Sequence, residues 1–404
     1  VTTPAPTAST RDTDSTPQAY EPAAMPTIVC IGDGQLARML HSEATELGLR
    51  FRILASGAEE SAAQVVGDVV LGDYRVEADV RRAVDGADVV TFEHEHVPGE
   101  IIAHLIADGV NVQPHDRALV HAQDKLVMRQ ALAAAGAPVP PFAPIDSVDD
   151  ARAFYAAMDG AVCLKARRGG YDGKGVWFPA DEADLIRLVE EQLAAGTPLM
   201  AERKVTLLRE LSALLARSPR GEVRLWDIAE TNQDGGVCRW ALAPAVDVDE
   251  ERVTAIATGI AEATDVTGVL AVELFDTPDG IFVNELAMRP HNTGHWTQNG
   301  SVTSQFEQHL RAVANWPLGS TDMTAPVAVM ANVLGAGEDW QDTLAERMAT
   351  VWRTYPDAKI HLYGKGHRAG RKLGHVNLTG SDRDATLADA LAAAHYLAHG
   401  RWPN

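Results

Sequence analysis

The apolar positions of this chain change period as the sequence is read. Thr27–Ile31 is a short, nearly continuous apolar run, as a buried strand requires. After Gly32-Asp33-Gly34, the apolar residues Leu36, Leu40, Ala44 and Leu47 recur on one helical face, and Gly48 ends the run. A second apolar stretch, Phe51–Leu54, predicts a second strand, so the segment reads as a βαβ unit. "ADVVTFE" (87–93) and "VNVQP" (110–114) read as further strands with helices between them. Residues 26–115 therefore predict a small doubly wound sheet.

Beyond it the pattern mixes helix and antiparallel strand. Residues 116–136 predict one helix, stopped by Gly136 and by Pro138, Pro140 and Pro141. "AVCLKARRGGYDGKGVWF" (161–178) reads as strand, loop, strand, and "PLMAERKV" (198–205) and "RELSALLARS" (209–218) as strands. "GVLAVELFDT" and "GIFVNELAM" form a hairpin through Pro278-Asp279-Gly280. A helix over 301–316 follows. From about 325 a smaller unit contains "PVAVMANVLG", "AKIHLYGKG", "KLGHVNL" and a last helix, 385–400. The expected division is a tail over 1–25, then domains over 26–115, 116–320 and 321–404. No internal repeat is visible.

Length and charge narrow the picture. At 404 residues the chain is too long for one ordinary core. With 35 basic and 56 acidic side chains it carries a net charge of −21, which argues against general nucleic-acid binding. No apolar run approaches the ~18 residues of a membrane span. Cys30, Cys163 and Cys238 show no metal or disulfide spacing, which fits a reducing cytoplasm. Residues 1–25 are rich in Thr, Pro, Ala and Ser and lack the apolar core of a signal peptide. They read as a disordered tail; the acids Asp12, Asp14 and Glu21 count against a transit peptide.

Six stretches could carry chemistry. Gly32-x-Gly34-x-x-Ala37 could bring backbone N–H groups to a phosphate, but the second strand ends in Leu54-Ala55-Ser56 without the acid a nicotinamide cofactor wants. A tight turn or a sugar-phosphate pocket are the other readings. Lys165 precedes a loop, Gly169–Gly175, whose glycines can fold over a polyphosphate. Glu273 and Glu285 lie on the two strands of the predicted hairpin, ~5 Å apart, where they can share divalent ions. Arg289, His291, Asn292, Thr293, Gly294 and His295 crowd polar and small residues into seven positions, and Arg289 can hold an anion by two parallel bonds. Lys365, Arg368, Arg371 and Lys372 form a basic cluster among Gly364, Gly366 and Gly370, suited to a phosphate. Glu93 and Glu95 of "EHEH" share one face of an extended segment and suit hydroxyl or metal binding.

"GDGQLARM", "TFEHEHV", "KARRGGYDGKG", "NELAMRPHNTGHWTQNG", "SQFEQHLRA" and "GRKLGHVNL" together resemble the ATP-grasp enzymes. More closely, they resemble the 5-(carboxyamino)imidazole ribonucleotide synthases of microbial purine biosynthesis, from about Ile28 to Leu378. The resemblance implies a mixed α/β and α+β fold: an N-terminal Rossmann-like domain, a central ATP-grasp domain and a small, β-rich C-terminal domain. It implies ATP- and bicarbonate-dependent carboxylation of the amine of 5-aminoimidazole ribonucleotide, with Mg2+, in a cytoplasmic homodimer. By resemblance, Arg117 and Lys165 contact ATP and Gly169, Gly170, Tyr171, Asp172, Gly173, Lys174 and Gly175 close over its phosphates. Glu202, Arg203, Lys204, Val205, Glu210 and Gln233 hold adenine and ribose, and Glu273 and Glu285 bind magnesium with Asn284 alongside. Arg289, His291 and Asn292 surround bicarbonate; Gln35, Glu93, Tyr171, Asp172, Lys365, Arg371 and Lys372 bind the ribonucleotide. Two positions depart from the family pattern. Gln233, within "ETNQDGG", stands where a histidine is common, and His94 stands between two acids usually separated by an apolar residue.

Other ATP-grasp ligases, such as a formate-dependent transformylase or a biotin carboxylase, are the nearest alternatives. A nicotinamide oxidoreductase and a catalytically silent nucleotide-binding protein are the more distant ones. The tail yields the first prediction. Its composition cannot bury enough apolar surface to offset ordering, so removal of residues 1–24 leaves the melting temperature within about 2 °C of the parent. A larger drop in calorimetry would mean the tail packs on the fold.

Overall fold

The computed structural model describes residues 25–169, 174–337 and 343–403. Residues 1–24, and with them almost all of the expected tail, lie outside the described residues, as do Gly170, Tyr171, Asp172 and Gly173.

The first unit comprises β1 (Thr27–Ile31), α1 (Gln35–Glu46), β2 (Arg50–Ala55), β3 (Asp68–Leu71), α2 (Glu77–Val84), β4 (Val89–Phe92) and α3 (Gly99–Ala107). Its strands are parallel in the order β3-β2-β1-β4. Ile28, Val29, Cys30 and Ile31 are fully buried, which is why β1 reads as an unbroken apolar run. The segment 110–114 is not a strand. It makes a single bridge, Val90 to Val112, and Pro114 has no N–H with which to extend a ladder.

The predicted helix over 116–136 is two helices, α4 (Asp116–Gln123) and α5 (Lys125–Ala134). Asp124 between them is extended, with φ −132° and ψ 110°. Its carboxylate accepts hydrogen bonds from the N–H groups of Leu126 (3.0 Å) and Val127 (3.3 Å), capping the second helix. The break turns Lys125 away from the direction that a continuous helix would give it.

A small antiparallel sheet follows: β5 (Phe142–Ile145), α6 (Val148–Ala157), β6 (Val162–Ala166), β7 (Val176–Trp177), α7 (Glu182–Ala194) and β8 (Leu199–Arg203), in the strand order β5-β8-β6-β7. Leu164, Leu185, Val189 and Leu199 form the core between its strands and helices.

The remaining strands build one large sheet. Its first part is β9 (Arg209–Arg217), β10 (Val223–Leu225), β11 (Ala229–Asp234), β12 (Val237–Ala243), α8 (Glu250–Thr264), β13 (Gly268–Thr277) and β14 (Gly280–Ala287). Then come α9 (Thr297–Gly300), α10 (Gln305–Val313), β15 (Val327–Leu334), α11 (Leu344–Thr354), β16 (Lys359–Leu362), β17 (Lys372–Gly380) and α12 (Arg383–His399). The strand order is β14-β13-β9-β11-β12-β15-β17-β16, with β10 paired to β9. The expected C-terminal domain thus has its own hydrophobic cluster, under α11 and α12, but no separate sheet. Trp240–Ala243 of β12 pairs with Ala328–Ala331 of β15, so the last strands extend the central sheet. In the same sheet β13 and β14 pair in a register that sets Glu273 directly opposite Glu285.

Candidate active site

A cavity of about 920 Å³ opens between the small and the large sheet. Lys165 enters it from β6, held by the carboxylate of Glu202 on the neighbouring strand at 2.7 Å. The other Glu202 oxygen takes the guanidinium of Arg129, also at 2.7 Å, and Arg129 is fully buried. Burial alone would raise the Glu202 carboxyl; Lys165 and Arg129 more than offset it and bring it to about 2. Glu202 is therefore a buried anchor for a cation at the mouth of the glycine loop. Each of its carboxylate oxygens accepts one of these bonds, and Glu202 lines the cavity. Arg167 and Arg168, just after β6, pair with Asp124 at 2.9 and 3.0 Å. Lys204, Val205, Glu210 and Gln233 line another wall, where the Lys204 ammonium lies 5.5 Å from the centre of the exposed Phe178 ring. Arg203 lines the cavity too, but its guanidinium reaches Asp279 at 3.0 Å.

Opposite this wall lie the paired acids. Burial first, then Glu285 and Glu210, push the Glu273 carboxyl up to about 7. Asn284 donates to Glu273 at 3.4 Å, and His291 Nε2 lies 3.5 Å from its other oxygen. The ammonium of Lys125 bonds to Glu285. Two facing carboxylates whose charge is costly without a counter-ion suit a divalent cation. Among the described residues no group of three or more His, Cys, Asp or Glu side chains forms an all-protein metal cage. That fits Mg2+, which commonly takes one or two carboxylates and completes its shell with water and phosphate oxygens.

Beyond the acids the cavity suits a small anion. Arg289 is half-buried and pairs with Glu95 at 2.8 Å. Burial, then Arg289 and Lys372, lower the His291 imidazole to about 3, so it is neutral at physiological pH. Neither side-chain amide atom of Asn292, which lines the cavity, makes a well-formed hydrogen bond; the weakly donating thiol of Cys238 lies beside it. A donor and an acceptor left open together mark a place where a ligand is received.

The structure separates Glu93 from Glu95. Glu93 turns to the start of α1, where its oxygens accept the N–H groups of Asp33 (3.1 Å), Gly34 (2.5 Å) and Ala37 (3.2 Å). A Cβ at Gly34 would come 2.6 Å from Glu93 Oε1, so glycine permits this approach. The glycine turn thus holds a carboxylate where a dinucleotide would place its pyrophosphate. This, with the missing acid after β2, removes the nicotinamide reading.

Lys365 comes to the same corner. Its ammonium donates to Gln35 and lies 5.9 Å from the centre of the Tyr363 ring. Burial lowers Lys365, while nearby Glu93 works in the other direction. Arg371 donates to the Gly366 carbonyl at 3.2 Å, and Lys372 lines the main cavity. Gln35, Glu93 and Lys365, far apart in sequence, therefore meet beside the cavity.

Arg117 does not join them. It lies on the surface, 59 % exposed, and pairs with Asp265. The cation that enters instead is Lys125, and the signal for it was the Asp124-Lys125 pair at the helix break. Glu95 as the partner of Arg289 was also unforeseen; only the fold brings residues 194 apart together.

A lysine-lined cleft between two antiparallel sheets, facing an acidic pair, is the arrangement of an ATP-grasp enzyme, and the ATP-grasp domain model matches residues 130–306. A ribonucleotide synthetase preATP-grasp domain matches residues 25–123 and a phosphoribosylaminoimidazole carboxylase C-terminal domain residues 328–389. The chain is 56% identical over 400 residues to the N5-carboxyaminoimidazole ribonucleotide synthase of Corynebacterium ammoniagenes, covering 96% of each. The crystal structure of N5-carboxyaminoimidazole ribonucleotide synthetase from Thermus thermophilus superposes with a TM-score of 0.82 at 35% identity, over 94% of this chain and 100% of that one. An Aspergillus clavatus N5-carboxyaminoimidazole synthase solved with ADP and 5-aminoimidazole ribonucleotide superposes with a TM-score of 0.83 at 26% identity, over 93% and 99%. The chain belongs to the N5-carboxyaminoimidazole ribonucleotide synthase family.

The Glu273 carboxyl generates a prediction about stability. It loses its proton near 4.5 in the unfolded chain and near 7 in the fold. Between those values the folded state binds the extra proton, so this group's contribution to stability falls as pH rises from 4.5 to 7. In buffer free of divalent ions, Glu273→Gln therefore gains about 2 kcal/mol on the parent at pH 8 relative to pH 5. Denaturant unfolding at both pH values tests this; the same difference between variant and parent at each pH contradicts it.

Proposed function

We propose that this chain carboxylates the amine of 5-aminoimidazole ribonucleotide at the expense of ATP and bicarbonate. An oxygen of bicarbonate attacks the γ-phosphorus of ATP and ADP leaves, giving carboxyphosphate. The amine nitrogen then attacks the carboxyl carbon, inorganic phosphate leaves, and the nitrogen gives up a proton. The observation that carries the reading is the convergence in one cavity of Lys165, the Glu273–Glu285 pair and the open amide of Asn292.

Each group has a role that its chemistry supports. Lys165 and Lys125 neutralise phosphoryl oxygens, where catalysis is mostly positioning and charge stabilisation. Glu273 and Glu285, with Asn284 alongside, would hold magnesium, whose charge supports phosphoryl transfer. Bicarbonate carries both a donor and acceptors, which matches the open amide of Asn292; Arg289 supplies the opposite charge. Neutral His291 offers a hydrogen bond rather than a charge at this end of the cavity. Lys204, Val205, Glu210 and Gln233 border the space for adenine and ribose. By resemblance, the glycine run 169–175 meets the phosphates; its residues 170–173 lie outside the described residues. Gln35, Lys365, Arg371 and Lys372 receive the ribonucleotide phosphate and ribose. Glu93 supports them from behind, through the α1 turn and its charge near Lys365.

The wider setting follows from the resemblance and from bulk properties. We place the enzyme in the cytoplasm as a homodimer; its cysteines are free and buried, as a reducing compartment permits. No helix among the described residues is long and apolar enough to cross a membrane. The net charge of −21 opposes nucleic-acid binding.

The deciding assay measures ADP release with ATP, magnesium, bicarbonate and aminoimidazole ribonucleotide, each omitted in turn. Full release requires all four; formate in place of bicarbonate gives none. Glu285→Gln lowers turnover by at least about 100-fold with the fold intact, because it removes a charge from the acidic pair. Lys365→Met weakens the ribonucleotide by about 10-fold, the loss of one charge-assisted bond, and leaves ATP affinity unchanged. A fall in ATP affinity with ribonucleotide affinity preserved would assign Lys365 to the nucleotide site instead.

A further inference from the structure

Beneath the cavity a chain of largely buried, uncharged hydrogen bonds runs from His291 on its wall to the Lys365 turn beside it. It starts at His291, whose backbone N–H donates to Gln305 Oε1 and whose carbonyl accepts from Gln305 Nε2, both at 2.8 Å. The second Nε2 proton of Gln305 points to His295 Nδ1 at 2.8 Å. A Cβ at Gly294 would come 2.6 Å from Gln305 Oε1, so this close fit needs glycine there. From His295 the chain passes through its carbonyl, which accepts the N–H of Gln298 at 3.2 Å. Gln298 Oε1 accepts from His375 Nε2 at 3.0 Å, and His375 Nδ1 meets the hydroxyl of Tyr363 at 2.7 Å. The far end is two residues from Lys365, whose ammonium lies over the Tyr363 ring.

The proton positions follow from the partners. Gln298 Oε1 can only accept, so His375 carries its proton on Nε2 and its Nδ1 accepts from Tyr363. The rings of His295 and His375 pack 4.8 Å apart, and those of His361 and His375 4.5 Å apart. Gln305, His295 and His375 are fully buried, and burial holds both imidazoles neutral. The network ties the first unit to the large sheet: Ser61 of the first unit donates to the Tyr363 carbonyl at 2.6 Å, while His375 belongs to β17. A hydrophobic core would fill this space at lower risk, since His295 Nε2 is left without a partner and an unsatisfied member of a buried polar network is costly.

We infer that Tyr363, His375, Gln298 and Gln305 are positioning residues that hold the Lys365 turn, where the ribonucleotide binds, at a fixed distance from His291, where the carboxyl donor forms. The inference rests on the function proposed above. Carboxyphosphate that does not meet the amine is lost to water, so a slack network uncouples ATP use from carboxylation. Merely destabilised enzyme loses both together.

The test counts ADP released per labelled bicarbonate fixed into the ribonucleotide, at saturating substrates, with melting temperatures in parallel. The parent gives a ratio near one. Tyr363→Phe and His375→Leu raise the ratio at least about 3-fold. His375→Gln, whose amide offers one acceptor and one donor, returns most of the way to the parent ratio. If the parent fixes no bicarbonate, the proposed function fails and this inference with it. If the parent is coupled and both disruptive variants keep its ratio, with rate lost or not, the function stands and the positioning role is wrong.

Discussion

The arrangement turns on the antiparallel register of β13 and β14. It sets Glu273 against Glu285 on a sheet whose neighbouring residues, Val272, Leu274 and Val283, are buried and apolar. Two carboxylates so placed cannot both ionise cheaply, and Glu273 is pushed up to about 7. Apart from the carboxylate of Glu210, the polar groups around them supply positive charge or hydrogen bonds. Lys125 reaches Glu285 from the second helix of the broken pair, Asn284 donates to Glu273, and Lys372 comes from β17 across the sheet. The site is an excess of negative charge built into the sheet, which a divalent cation would relieve.

The cations facing that pair are themselves held by buried anions. Glu202 fixes Lys165 and Arg129, and Asp124 gathers Arg167 and Arg168 while capping α5. Removing one member of such a cluster leaves a buried charge unpaired, which costs about 3–5 kcal/mol. Rigidity here has a purpose: the phosphates meet donors already in place, with little reorganisation during reaction.

Much of this was legible in the residues. β1 and α1 were visible because burial on both faces and on one helical face leaves clear periods. The β13–β14 hairpin was visible because Pro278-Asp279-Gly280 separates two apolar runs. From these, Lys165, Glu273, Glu285 and Arg289 could be chosen on chemistry alone. The rest depends on contacts distant in sequence. The β12–β15 pairing that joins the strands of the C-terminal domain to the main sheet leaves no local trace, so the domain was legible but its continuity with that sheet was not. A single capping aspartate splits the helix after residue 123, and with it the choice between Arg117 and Lys125. Glu93 and Glu95 look equivalent in an extended segment, yet one caps α1 and the other pairs with Arg289.

The central claim is that the acidic pair awaits a cation brought with the nucleotide. Calorimetric titration of preformed magnesium–ATP at pH 6.5, in buffers of different ionisation enthalpy, counts the protons exchanged on binding. With Glu273 near 7 in the free protein, binding should release a substantial fraction of one proton, and Glu273→Gln should abolish that release. Binding of the complex by the parent protein with no net proton release would contradict the account.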